Sequence, residues 1–218
     1  MSRGKYDSQE DGVDTARLLL EKGVDIHAQD SDHDTALHTA AFNGRLELAR
    51  FLLDNGANVT AENGKGETPL HLVSRGKYDS QEHCVGTARL LLERGADIDA
   101  PDPDQNTPLH TASRLGRLEI ARVLVDHGAK VGSVNDLAQT PLHLVSQYSY
   151  WLQDDCLGVA KLLLERGADM NAQDVEYTNP LHLACYRGRL DIARVLLDYD
   201  AKSQAECNQD LVQCGSGE

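Results

Sequence analysis

Apolar residues fall at helical spacing in two short bursts, and the pair of bursts recurs along the chain. Leu37, Ala40 and Ala41 stand at i, i+3 and i+4, a stripe that predicts a short helix whose alanines let a neighbour approach closely. Leu46, Ala49, Leu52 and Leu53 predict a second helix. Glycine punctuates both. Gly44 ends the first burst, and Gly56 follows the second where a left-handed residue closes a helix, a stop repeated at Gly23, Gly95, Gly128 and Gly167. In the last copy Asp200 takes that place, and it tolerates the left-handed conformation less well than glycine. The starts are equally regular. Thr-Pro-Leu-His stands at 68–71, 107–110 and 140–143, with variants at Thr35-Ala36-Leu37-His38 and Asn179-Pro180-Leu181-His182. Thr35 is a suitable N-cap, and Pro69, Pro108, Pro141 and Pro180 sit just inside a helix start, where proline loses nothing. Successive starts are 33, 39, 33 and 39 residues apart, a composite period of 72. The chain is therefore a repeat array, one continuous solenoid in which each unit buries its core against the next.

The tetrapeptide and its spacing resemble the ankyrin family, in which a hairpin finger and two antiparallel helices stack on the next copy; the resemblance covers nearly all 218 residues. It implies an all-α repeat solenoid of stacked helix-turn-helix units with hairpin loops. Alternating 33- and 39-residue units are similar to fungal arrays of that family. On this frame the chain is a single solenoid over 1–218, with a truncated first unit at 2–29. Five full units follow at 30–62, 63–101, 102–134, 135–173 and 174–206, and then a degenerate tail at 207–218. The resemblance also implies a structural role for His38, His71, His110, His143 and His182. Each imidazole would bond the preceding threonine hydroxyl and a backbone group of the adjacent hairpin, with Asn179 in the threonine role in the last copy.

Ser2 to Glu10 repeats without change as Ser74 to Glu82, so the first residues belong to the interior of a long unit. A second helix without its first is marginal in water, and residues 2–23 are expected to fray or to stack on another molecule. The six extra residues of the long units lie between the two helices, at Ser2–Gly12, Ser74–Gly86 and Ser146–Gly158, and predict three loops projecting along one edge. The third loop holds Tyr148 and the only tryptophan, Trp151, which aligns with Asp7 and Asp79. A position that is acidic in two copies predicts an exposed Trp151, suited to an interaction hot spot; packing into a locally enlarged core is the alternative.

Composition narrows the partner. The formal charge is −14, and such a surface repels a phosphate backbone, so nucleic acid is not expected. Asp30, Asp32 and Asp34, then Asp102 and Asp104, then Asp174 and Glu176 recur ahead of the first helices and fit a basic protein partner. The alternative is that they keep the array soluble and favour the helix starts. No apolar stretch approaches the roughly 18 to 20 residues of a membrane span, and Met-Ser-Arg-Gly-Lys-Tyr lacks the apolar core of a secretory signal. An intracellular, cytoplasmic location is expected. The five cysteines form no close C-x-x-C pair. Cys84 and Cys156 lie two units apart, about 20 Å at ~8–10 Å per helix layer, well beyond the ~7 Å that a disulfide spans.

Candidate chemistry is sparse. His27, His33, His83 and His127 lie far apart by period, so no metal site is expected. Gly64-Lys65-Gly66-Glu67 lacks the frame of a phosphate loop and reads as a hairpin tip. Asn171 stands in a pattern similar to hydroxylated ankyrin asparagines, which is also the ordinary unit boundary. No nucleophile and base recur outside the repeat positions, so neither catalysis nor a cofactor is expected.

The resemblance implies that ligands meet the concave face made by hairpin tips and first helices. There the chain offers Phe42, Asp104, Arg114, Leu115, Leu137, Tyr148, Trp151, Val175, Glu176, Tyr186 and Arg187. Leu137, Tyr148, Trp151, Val175 and Tyr186 are expected to carry the contact energy, with acidic tips steering a basic partner. Two functions fit: a non-catalytic protein-protein interaction module, or a structural or ligand-sensing array of a larger multidomain receptor or regulatory protein. Self-association through uncapped ends is compatible with either.

Overall fold

The computed structural model describes residues 9–76, 81–147 and 153–200. Its helices are α1 (Gln9–Glu21), α2 (Ala36–Phe42), α3 (Leu46–Asp54), α4 (Pro69–Arg75), α5 (Gln81–Glu93) and α6 (Pro108–Arg114). α7 (Leu118–Asp126), α8 (Pro141–Gln147), α9 (Gln153–Glu165) and α10 (Pro180–Tyr186) follow, and α11 covers 190–200. First helices α2, α4, α6, α8 and α10 pack in sequence as one layer, and α1, α3, α5, α7 and α9 as a second. The buried residues between the layers are mainly leucine and alanine, with Leu70, Leu109, Leu142, Ala112 and Ala184 fully enclosed. Small residues on the facing sides allow the close approach that their pattern predicts. The result is the all-α repeat solenoid anticipated above.

Caps and stops follow the sequence. Thr35, Thr68 and Thr107 are extended N-caps, and the first helix begins at the next residue in each copy. Gly23, Gly56, Gly95, Gly128 and Gly167 all have φ between 82 and 96°. At Asp200 no such turn forms, and α11 continues through the residue where its counterparts stop.

The inserted segments differ from expectation. α5 and α9 have 13 residues where α3 and α7 have 9, so four of the six extra residues wind into an additional N-terminal turn rather than projecting as a loop. The reason is packing: Cys84, Ala88 and Leu91 form one buried stripe at i, i+4 and i+7, as do Cys156, Ala160 and Leu163. Each cysteine sits against a glycine of the preceding unit. A Cβ added to Gly44 would lie 2.9 Å from the Cys84 sulfur, and one added to Gly116 would lie 2.7 Å from that of Cys156. Burial pushes both thiols above their usual pKa, against the opposing effect of the Arg117 and Arg189 guanidiniums that hydrogen-bond them from the following unit. The second and fourth units are thus keyed into their neighbours on either side. At the start of the array the extra turn also forms: α1 begins at Gln9 and packs on α3, with Arg17 over the Phe51 ring.

The histidines form a ladder through the stack. Nδ1 of His38, His71, His110 and His143 lies 2.8–2.9 Å from the threonine Oγ1 three residues earlier. Nε2 lies 3.0–3.2 Å from the backbone carbonyl of Glu67, Asn106, Gln139 and Thr178 respectively, each in the next unit. A carbonyl only accepts, so Nε2 carries the proton and Nδ1 accepts from the threonine N–H and O–H. His182 departs from the expected role. It is exposed, and among the described residues no following hairpin reaches it; only the cap remains, with its N–H donated to Asn179 Oδ1 at 2.9 Å.

Burial lowers the pKa of His71, His110 and His143 from the ordinary 6.5, more than their carbonyl partners raise it. The folded array therefore excludes protons that the unfolded chain takes up. This contribution to stability is complete above pH 6.5 and is lost as pH falls below it, by up to about 1.4 kcal/mol per pH unit for each excluded proton. The thermal midpoint is expected to hold between pH 7.5 and 6.5 and to fall from there to pH 5.5; a flat profile below pH 6.5 would show that the ladder does not control it.

Candidate protein-binding face

Each hairpin tip is built by one side chain at its base. Asp30, Asn63, Asp102, Asn135 and Asp174 accept the N–H groups two and four residues ahead, as when Asp102 Oδ1 takes those of Asp104 (3.0 Å) and Asn106 (2.8 Å). This local bond is the reason Asp and Asn recur there. The carboxylates of Asp30, Asp102 and Asp174 thus fold the tip in addition to adding to its negative charge. The return residue is left-handed: His33, Gln105, Ala138 and Tyr177 have φ of 56–61°. The second unit places Gly66 there, and a Cβ would lie 2.6 Å from the Pro103 ring, so that copy has no room for a side chain.

Tips also bond to one another. Gly64 N–H donates to the Asp32 carbonyl at 2.9 Å, Asp136 to Asp104 at 3.1 Å and Val175 to Leu137 at 3.0 Å. Asn135 Nδ2 donates to Asn106 Oδ1 at 3.0 Å, and Asn63 Nδ2 to Asp34 Oδ1 at 2.8 Å. The tips consequently form a fixed surface, and a ligand that meets them loses little free energy to ordering the protein.

Between the third and fourth units this surface opens into a cleft of about 280 Å³ lined by Asp104, Asn106, Arg114, Asn135, Asp136, Leu137, Gln139 and Leu144. It brings together Asp104, Arg114 and Leu137 from three separate elements. Val175 adjoins through its bond to Leu137, and Glu176 is exposed beside it. Leu137 is 49 % exposed, Val175 57 %, Tyr177 79 % and Tyr186 81 %. Arg187, at the end of α10, lies over the Tyr186 ring at 5.3 Å.

Other candidates have different surroundings. Phe42 is half-buried, packs on the core and is covered by the Arg75 guanidinium at 5.8 Å, which itself pairs with Glu67 at 3.2 Å. It supports the second unit more than it offers contact. Leu115 is half-buried at the end of α6, where its N–H returns to the helix. Tyr148 and Trp151 lie outside the described residues. Sequence reasoning overlooked Tyr177 because its repeat mates His33, Gly66, Gln105 and Ala138 share no chemistry; what they share is the left-handed turn, which in the fifth unit leaves the ring exposed.

Among the described residues no group of three or more His, Cys, Asp or Glu could hold a metal ion, and no helix is long and apolar enough to cross a membrane. Comparison with known proteins agrees with the stacked helical units. An ankyrin repeat protein of fowlpox virus (strain NVSL) is 42% identical over 50 residues, which are 23% of this chain and 8% of that protein. The chain thus matches a small part of that relative's length. The family model for ankyrin repeats, in three copies, matches residues 7–102, 59–135, 81–174 and 130–210. With nearly the whole chain matched and its capped helix pairs stacked through a histidine ladder, the protein belongs to the ankyrin repeat family.

Proposed function

We propose that this array is a non-catalytic recognition module that grips a protein partner along the tips and first helices of its third to fifth units. One observation carries the reading: Leu137, Val175, Tyr177 and Tyr186 are exposed on a rigid, self-bonded surface beside a preformed cleft. Exposed aromatic and aliphatic groups on such a surface gain buried area on binding at small entropic cost. Exposed Cys185 and buried, unpaired Cys84 and Cys156 fit a reducing compartment, so we place the module inside the cell.

Capture from a lysate of the source organism tests this. A variant with Leu137→Ser, Val175→Ser and Tyr186→Ala should keep the native circular dichroism and lose a captured partner by at least about tenfold, since two or three hot-spot side chains are each worth ~1–2 kcal/mol. Equal capture by native and variant chains would place the contact elsewhere.

A further inference from the structure

The recognition face reads a pair of side chains, and resting on the proposed function above we infer which pair. We propose that the occupant is an extended segment of the partner carrying one arginine or lysine about three residues from a bulky apolar side chain, with the cation in the cleft between the third and fourth units and the apolar group on the adjoining tips.

The cation follows from the cleft's acceptors. Its neutral amides are engaged within the hairpins: Asn135 Oδ1 takes the N–H groups of Leu137 and Gln139, Asn135 Nδ2 binds Asn106, and Gln139 Nε2 donates to Asp174. Asp104 and Asp136 remain, both exposed, both lining the cleft, on tips joined by the bond between their backbones. Two carboxylates on one cleft favour an incoming cation. Arg114 lines the same cleft and offsets one of them, so the local charge matches a single guanidinium or ammonium group. The apolar half lies one tip further along. Leu137 follows Asp136 directly, Val175 is bonded to Leu137, and Tyr177 is exposed on the same tip as Val175. Adjacent units stand about 10 Å apart, the span of roughly three residues at ~3.3 Å each in an extended chain. Acid and apolar groups are therefore separated by the distance that sets the spacing of the motif.

Panning a phage-displayed random 12-residue library on the intact chain tests the inference. Enriched peptides should carry Lys or Arg two to four residues from Leu, Ile, Phe or Tyr. A synthetic peptide from that pool should bind Asp104→Asn/Asp136→Asn at least tenfold more weakly, and Leu137→Ser/Val175→Ser equally so. Both pairs change exposed side chains, and circular dichroism confirms the fold. Peptides lost with the apolar pair but neither basic nor sensitive to the aspartates would overturn the cation site while leaving the recognition face intact. Peptides indifferent to both pairs would overturn the face itself, and a pool without enrichment would exclude a linear segment as the occupant.

Discussion

Replacing His110 by alanine is expected to cost about 4 kcal/mol, whereas the same change at His182 should cost no more than about 0.5 kcal/mol, although both stand in the same starting tetrapeptide. His110 is fully buried. Its Nδ1 accepts from the Thr107 N–H at 3.1 Å and hydroxyl at 2.9 Å, and its Nε2–H reaches the Gln139 carbonyl at 3.0 Å. Alanine would leave a buried N–H and a buried carbonyl without partners, about 1–3 kcal/mol each, and a cavity where the ring stood. His182 is exposed, and its N–H would keep its bond to Asn179. Urea unfolding of the two variants measures the difference. Similar losses would show that His182 is enclosed by contacts beyond the described residues.

Gly116→Ala is expected to lower stability by about 3 kcal/mol. A non-glycine residue at left-handed φ costs about 1–2 kcal/mol, and Gly116 has φ of 66°. The added methyl would also meet the Cys156 sulfur at 2.7 Å and its backbone nitrogen at 3.3 Å, overpacking worth about 1–3 kcal/mol. Gly188 is the internal control. It has φ of 68° but open space where a methyl would project, so Gly188→Ala should show the backbone cost alone. If the two alanines cost the same, the close fit of Cys156 against Gly116 contributes nothing. If it does contribute, Cys156→Ala should recover part of the loss in the double variant, with a coupling of about 1 kcal/mol or more.

The keyed cysteine shows why one prediction from the sequence failed. Counting residues placed the six extra positions of each long unit in a projecting loop, because length alone carries no information about conformation. The stripe Cys84, Ala88 and Leu91 was visible, yet its meaning depends on Gly44 in the preceding unit, which leaves room for the sulfur. The tip acids teach the same lesson in reverse. Asp30, Asp102 and Asp174 look identical to Asp32 and Asp104 in a charge count, but only their carboxylates close the hairpin.

Local chemistry fixed the helix starts and stops: Thr35, Thr68 and Thr107 cap, proline initiates, and glycine at positive φ terminates, all within a few residues of backbone. Periodicity then determined the fold, since identical apolar stripes have only each other to bury against. The binding face was only partly legible. Asp104, Arg114 and Leu137 could be named from variable positions, but their convergence on one cleft depends on bonds between tips that are 32 or 38 residues apart in sequence. The exposure of Tyr177, the cover over Phe42 and the different fates of His110 and His182 likewise belong to the tertiary structure. A side chain's type is set by its codon, while its burial is set by which neighbour stacks against it, and that neighbour is a whole repeat away.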